Sequence, residues 1–131
     1  MKSPAFIALL ALAAAATAAS AAPPPRTPLP AAECIQPSRI NDWHIVDDRT
    51  ATVRSGPKYY QVILQTACPQ LRHPPGLIFR ANAANTSANG GRICGEVGES
   101  VRSQGQAPCA IERIQRIDKT RFDQLNATPK P

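Results

Sequence analysis

The chain has 131 residues, enough for one domain, and its fifteen Lys and Arg against nine Asp and Glu give a formal net charge of +6. Three Phe, one Trp and two Tyr are too few and too scattered to build a base-stacking platform, so no nucleic-acid partner is expected.

The first residues do not read as part of that domain. Met1-Lys2 is a short positive start, Ser3 to Ala22 carries no charge, and "AFIALLALAAAATAAS" is an apolar run that exits through small residues. This is the layout of a secretory signal peptide, residues 1–21, cut after Ala21 because a cut one residue later would put Pro23 beside the scissile bond. Its loss leaves fourteen basic residues against nine acidic ones and no transmembrane segment, and predicts a periplasmic or secreted protein. Arg outnumbers Lys eleven to four and Ala is abundant, as in a GC-rich bacterial gene. Residues 22–33, with "PPPRTPLP" at their centre, read as an extended Pro-rich linker.

A single β-rich domain is predicted over 34–126. "INDWHIV" alternates, with Trp43 and Ile45 on one face and His44 and Val46 on the other. Asp47-Asp48-Arg49 is a polar turn, and "TATVR" resumes with Ala51 and Val53 aligned. "SGPK" turns again into "YYQVILQT", the strongest strand, with Tyr60, Val62 and Leu64 on one side. "LIFRA" is a short fourth strand and Asn82–Gly91 a loop. "RICGEVG" and "ESVRSQG" read as two more short strands. In "CAIERIQRI" the isoleucines 111, 114 and 117 recur every three residues, which predicts a β-bulge within a last strand, although the period by itself also fits a helix. "DKTRFDQL" reads as a short helix with Asp118 as N-cap and Phe122 and Leu125 turned to the core, followed by a disordered tail at 127–131. The fold class expected is mainly β: a small antiparallel meander or partly closed barrel with a short C-terminal helix, stapled by disulfides.

The cysteines are Cys34, Cys68, Cys94 and Cys109. Cys34 is no lipid anchor, because Glu33 precedes it and the twelve residues "APPPRTPLPAAE", Glu33 among them, separate it from the apolar run. No pair has the close spacing of a zinc site, and neither His44 nor His73 has a ligand at diagnostic spacing, so no metal and no cofactor are expected. Two disulfides remain. If seven strands alternate in direction, the third and fifth end at the top near Cys68 and Cys94, while the first and last begin at the bottom. That parity predicts Cys34–Cys109 and Cys68–Cys94.

These blocks, "CI", "W…VDDRT.TVR", "YYQVIL…CPQL", "RICG" and "C.IERI" before a capped helix, resemble the bacterial family known as domain of unknown function 6491, from Cys34 to about Leu125. The resemblance implies a small exported bacterial protein and no particular activity. The Asn82–Gly91 loop is longer than the family pattern.

There is no G-x-S-x-G elbow, H-E-x-x-H or glycine-rich phosphate loop, and the adjacent acids Asp47-Asp48 sit in a turn, so no enzyme is expected. Arg113, Arg116, Lys119 and Arg121 form the densest basic cluster, at the end of the last strand and the start of the helix. Cations there oppose the positive end of the helix dipole, which makes them candidates for binding an anionic envelope component. Three function classes follow: a non-catalytic envelope binding or structural module, a secreted inhibitor of an acidic enzyme, and an enzyme with an unrecognised site.

Overall fold

A computed structural model describes residues 26–73, 76–84 and 91–127. The expected leader, residues 85–90 of the long loop and the tail from 128 lie outside the described residues. Six antiparallel strands form one sheet: β1 (Ile40–Asp47), β2 (Thr50–Ser55), β3 (Lys58–Leu64), β4 (Leu77–Arg80), β5 (Ser100–Ser103) and β6 (Cys109–Ile117), in the order β1-β2-β3-β6-β5-β4. The alternation of the first three strands produces the expected meander, with Ala51, Val53, Tyr60, Val62 and Leu64 all buried on the inner face. β6 then pairs with β3 through Ile111–Ile117 and with β5 through Cys109–Ala110. Two partners at the two ends of one strand curl the sheet into a half-barrel, whose free edges are β1 and β4.

The bulge expected in β6 is present. Ile111 pairs with Leu64 and Arg113 with Ile63, leaving Glu112 as the extra residue. It returns both Ile111 and Ile114 to the buried face, as three-residue spacing otherwise cannot on a strand. Helix α1 (Lys119–Ala127) is capped by Asp118, whose Oδ1 accepts the Arg121 N–H at 2.7 Å. The helix lies on the outer face of the first three strands. Its Phe122 is buried against Tyr59 and His44, with ring centroids 4.9 and 5.8 Å apart, and Thr52 Oγ1 donates to Asn126 Oδ1 at 2.6 Å. Leu125 is half-buried rather than in the core, and Ala127, placed in the predicted tail, is the last residue of the helix.

Two expectations are corrected. The stretch 92–98 is not a strand of the sheet; only an isolated bridge, Ile35 to Ile93, forms there. The reason is Glu99, whose side chain is almost fully buried. Its carboxylate accepts the N–H groups of Cys94 (2.7 Å), Gly95 (2.7 Å) and Glu96 (2.9 Å), so these donors curl round one anion and are lost to a ladder. Gly95 and Gly98 supply the positive φ, +91° each, that the curl requires.

The second correction follows from the first. The disulfides are Cys34–Cys94 and Cys68–Cys109, not Cys34–Cys109 and Cys68–Cys94. With the false strand removed, β6 begins at the end of the sheet where β3 finishes, which brings Cys109 to Cys68. Cys94 lies in the connection from β4 to β5 at the opposite end, where Cys34 precedes β1. The described part of the Pro-rich stretch docks there too: Leu29 N–H donates to the Cys94 carbonyl at 2.8 Å, and Arg26 Nη1 reaches the Ile111 carbonyl at 3.0 Å.

Candidate functional site

The charged side chains are divided unevenly between internal partners and solvent. All nine acids of the chain are engaged. Glu33 pairs with Arg116, Asp48 with Arg72 (3.1 Å), Glu112 with Arg49 (3.5 Å), Asp123 with Lys119 (2.8 Å) and Asp42 with His44 (3.3 Å). Asp47 Oδ1 accepts the Arg49 N–H, Asp118 caps the helix, Glu96 Oε2 accepts from Asn82 Nδ2, and Glu99 is caged. By contrast, the guanidinium groups of Arg39, Arg80, Arg102, Arg113 and Arg121 make no hydrogen bond or ion pair among the described residues. Much of the excess positive charge thus sits on groups that remain free to meet an anion, the rest on Arg26, Arg54, Lys58 and Arg92, which bond to carbonyls.

The sequence cluster is not one patch. Arg113 and Arg116 are three residues apart on a strand and therefore point to opposite faces. Arg113 pairs across the ladder with Ile63 on the outer face, whereas Arg116 pairs with Tyr60 on the inner one, its guanidinium 5.5 Å from the ring. Arg116 is held by Glu33, and Lys119 by Asp123, which raises the lysine's affinity for its proton through that hydrogen bond. Of the four, only Arg113 and Arg121 are spare. Asp47 and Asp48 point to different partners, as turn residues do, and do not converge on one point.

Two buried titratable groups hold the lower end, where β1 begins. Tyr60 is fully buried, its hydroxyl donates to the Cys34 carbonyl at 3.2 Å, and burial raises its pKa against the lowering pull of Arg116. Burial likewise raises the Glu99 carboxyl, opposed by its three backbone donors. Neither opens onto a groove described below; both fix the Cys34–Cys94 junction.

Between the free edges lies a groove of about 370 Å³, lined by Pro37, Ile40 and Trp43 from one side and Gly76, Leu77, Ile78 and Phe79 from the other, which exposes more polar than apolar surface although its side chains carry no charge. A wider groove of about 640 Å³ at the upper end is lined by Asp47, Asp48, Arg49, Glu112 and Arg113, whose charges are mostly neutralised by their own pairs. The sequence gives no sign of this groove, because the alternation that marks Trp43 as inward-facing is the same in a closed sheet and an open one. Among the described residues no group of three or more His, Cys, Asp or Glu is placed to hold a metal ion, and no helix is long and apolar enough to cross a membrane.

Fold and site together define a disulfide-stapled β half-barrel with one helix on its outer face and surplus arginine on its surface. The chain matches over residues 1–130 the model of the family described as "Family of unknown function (DUF6491)", and it belongs to that family. No curated protein and no solved structure matches it.

Proposed function

We propose that the protein is an exported, non-catalytic module that binds an anionic component of the bacterial envelope. The observation that carries this reading is the asymmetry of pairing: every acid is consumed inside the fold, while five arginines remain spare. Export is supported by two disulfides, which persist in oxidising compartments, together with the leader-like start of the sequence. A domain of this size has a small core, and two covalent staples give it the rigidity on which a binding surface can be displayed at low entropic cost.

The reading is tested with vesicles. At low salt the protein should bind phosphatidylglycerol vesicles at least about tenfold more tightly than phosphatidylcholine vesicles, and the preference should shrink as salt screens it. Replacing Arg39, Arg80, Arg102, Arg113 and Arg121 by Gln should abolish the preference; replacing Arg49 and Arg72 by Gln should leave most of it, because those two charges are already matched by acids. Equal binding to both vesicle types would contradict the reading.

A further inference from the structure

Two of the spare arginines, 22 residues apart in the chain, meet on one ladder. β4 pairs with β5 so that Ile78 stands opposite Arg102 and Arg80 opposite Ser100. Residues directly opposite in an antiparallel pair share a face, and successive residues alternate between faces. Leu77, Phe79, Val101 and Ser103 turn toward the core, so Ile78, Arg80, Ser100 and Arg102 make up the outer face. Arg80 and Arg102 are diagonal neighbours there, a separation of about 7–8 Å that long side chains span.

No acid answers this pair. β4 and β5 contain none, and neither does the stretch from Asn82 to Gly91. The two acids before β5 are engaged elsewhere: Glu99 holds three backbone N–H groups, and Glu96 Oε2 accepts from Asn82 Nδ2 at 3.2 Å. On the far side of β5, Ser100 faces the uncharged Ala110 of β6. The same region carries the large hydrophobic side chains left exposed among the described residues, Ile78 at 39% and Val97 at 70% exposure. Ile78 stands opposite one arginine and two residues before the other. Val97 is tied to the end of the same strand, its carbonyl accepting from Asn82 Nδ2 at 3.1 Å. Helix α1 packs on β1, β2 and β3, at the other half of the sheet. Exposed apolar side chains set among unmatched cations suit the interface of an anionic bilayer, where cations meet the head groups and apolar groups enter the acyl boundary.

We infer that the outer face of β4 and β5, with Val97 beside it, rests on the surface of an anionic phospholipid bilayer. The inference rests on the anion-binding reading above and adds to it a face and a partner. A second copy of the chain is a poorer occupant, because pairing this face about a two-fold axis sets the arginines of the two copies against each other. A peptide added as a strand is also poorly served, since β4 is four residues long and short edges resist strand addition.

The test places the isotope-labelled, oxidised protein on phosphatidylglycerol nanodiscs doped with head-group spin-labelled lipid. Amide signals from Ile78 to Asn82 and from Val97 to Arg102 should be attenuated most, and those of α1 and β1 to β3 least. Phosphatidylcholine nanodiscs should give no such pattern. Arg80→Gln/Arg102→Gln should weaken binding to phosphatidylglycerol vesicles at least about tenfold, from about fivefold for each cation at an anionic surface, while Arg113→Gln/Arg121→Gln should change it less than about twofold. Ile78→Ser/Val97→Ser should weaken it about threefold or more and leave its salt dependence unchanged, since no charge is lost. Attenuation centred on Arg39, Arg113 or Arg121, with phosphatidylglycerol still preferred, would overturn the assignment of this face and leave the anion-binding reading standing. If that preference is absent, both fail, and shifts at Arg80 and Arg102 with soluble glycerol phosphate would then mark a dissolved ligand in place of a membrane. A dimer in sedimentation that Ile78→Ser dissociates, with the β4 and β5 amides untouched by the spin label, would also overturn the inference, in favour of a second copy.

Discussion

Replacing Cys34 and Cys94 together by Ala is expected to lower the unfolding free energy by about 4 kcal/mol, within the 2–5 kcal/mol range for native disulfides of small exported domains. The bridge spans 60 residues, and in the chain-entropy model a loop of that length restricts the unfolded chain by this amount. The native side of the balance adds to the loss. Cys34 lies in the segment that offers its carbonyl to Tyr60 and pairs Ile35 with Ile93, while Cys94 is one of the donors that hold Glu99. Releasing the bridge frees both chain segments of that junction at once. Chemical denaturation of the oxidised double variant measures the effect, and the melting temperature should fall by roughly 15 °C or more. A loss below about 1 kcal/mol would show that the junction is held by its hydrogen bonds alone. Non-reducing peptide mapping of the unmodified protein should link Cys34 to Cys94 and Cys68 to Cys109.

Glu99→Gln should cost about 1–3 kcal/mol, and Glu99→Ala more. The two carboxylate oxygens accept three backbone N–H groups, Oε1 from Gly95 and Glu96 and Oε2 from Cys94. An amide can retain the pair on Oε1 but turns its own N–H₂ toward the Cys94 N–H, placing donor against donor in a site that water scarcely reaches. Alanine leaves all three donors without an acceptor. Glu99→Asp keeps the charge but is one methylene shorter, and it should fall between wild type and the glutamine variant. The spread across the three variants, read from denaturation midpoints, distinguishes a caged anion from a merely buried side chain; equal losses for Gln and Ala would contradict the cage.

Much of the fold is legible in the sequence. The alternation in β1, β2 and β3 and the bulge in β6 follow from local pattern, since each strand must bury one face. Asp118 is recognisable as a cap because it stands directly before the helical run. What is not legible is non-local. Nothing in the residues of β6 says that it pairs with β3 along one part and with β5 along another, and that pairing is what leaves β1 and β4 as edges with a groove between them. The disulfide error has a single origin. Direction parity is a sound rule for this sheet, and applied to six strands it gives the observed bridges. It failed because 92–98 has the apolar spacing of a strand while Glu99 draws three of its N–H groups into a loop. The pattern C-G-E-V-G-E, with two glycines around the carboxylates, is the only local trace of that loop.

The basic cluster shows the same limit from the functional side. Arg113, Arg116, Lys119 and Arg121 are close in sequence, but strand geometry separates the first two, and Glu33 and Asp123 occupy Arg116 and Lys119. The spare cations Arg39, Arg80 and Arg102 stand far apart in the chain, singly, and only the list of internal partners sets them apart from Arg49 or Arg72.

Five arginines are spare because, among the described residues, the fold gives their guanidinium groups neither an acid nor a carbonyl to bond. The most direct measurement is a two-dimensional NMR titration of the arginine Nε–H groups with inorganic phosphate. Shifts are expected at Arg39, Arg80, Arg102, Arg113 and Arg121, with Arg49, Arg72 and Arg116 unmoved. Shifts at the three paired arginines, or none at the five spare ones, would contradict that division.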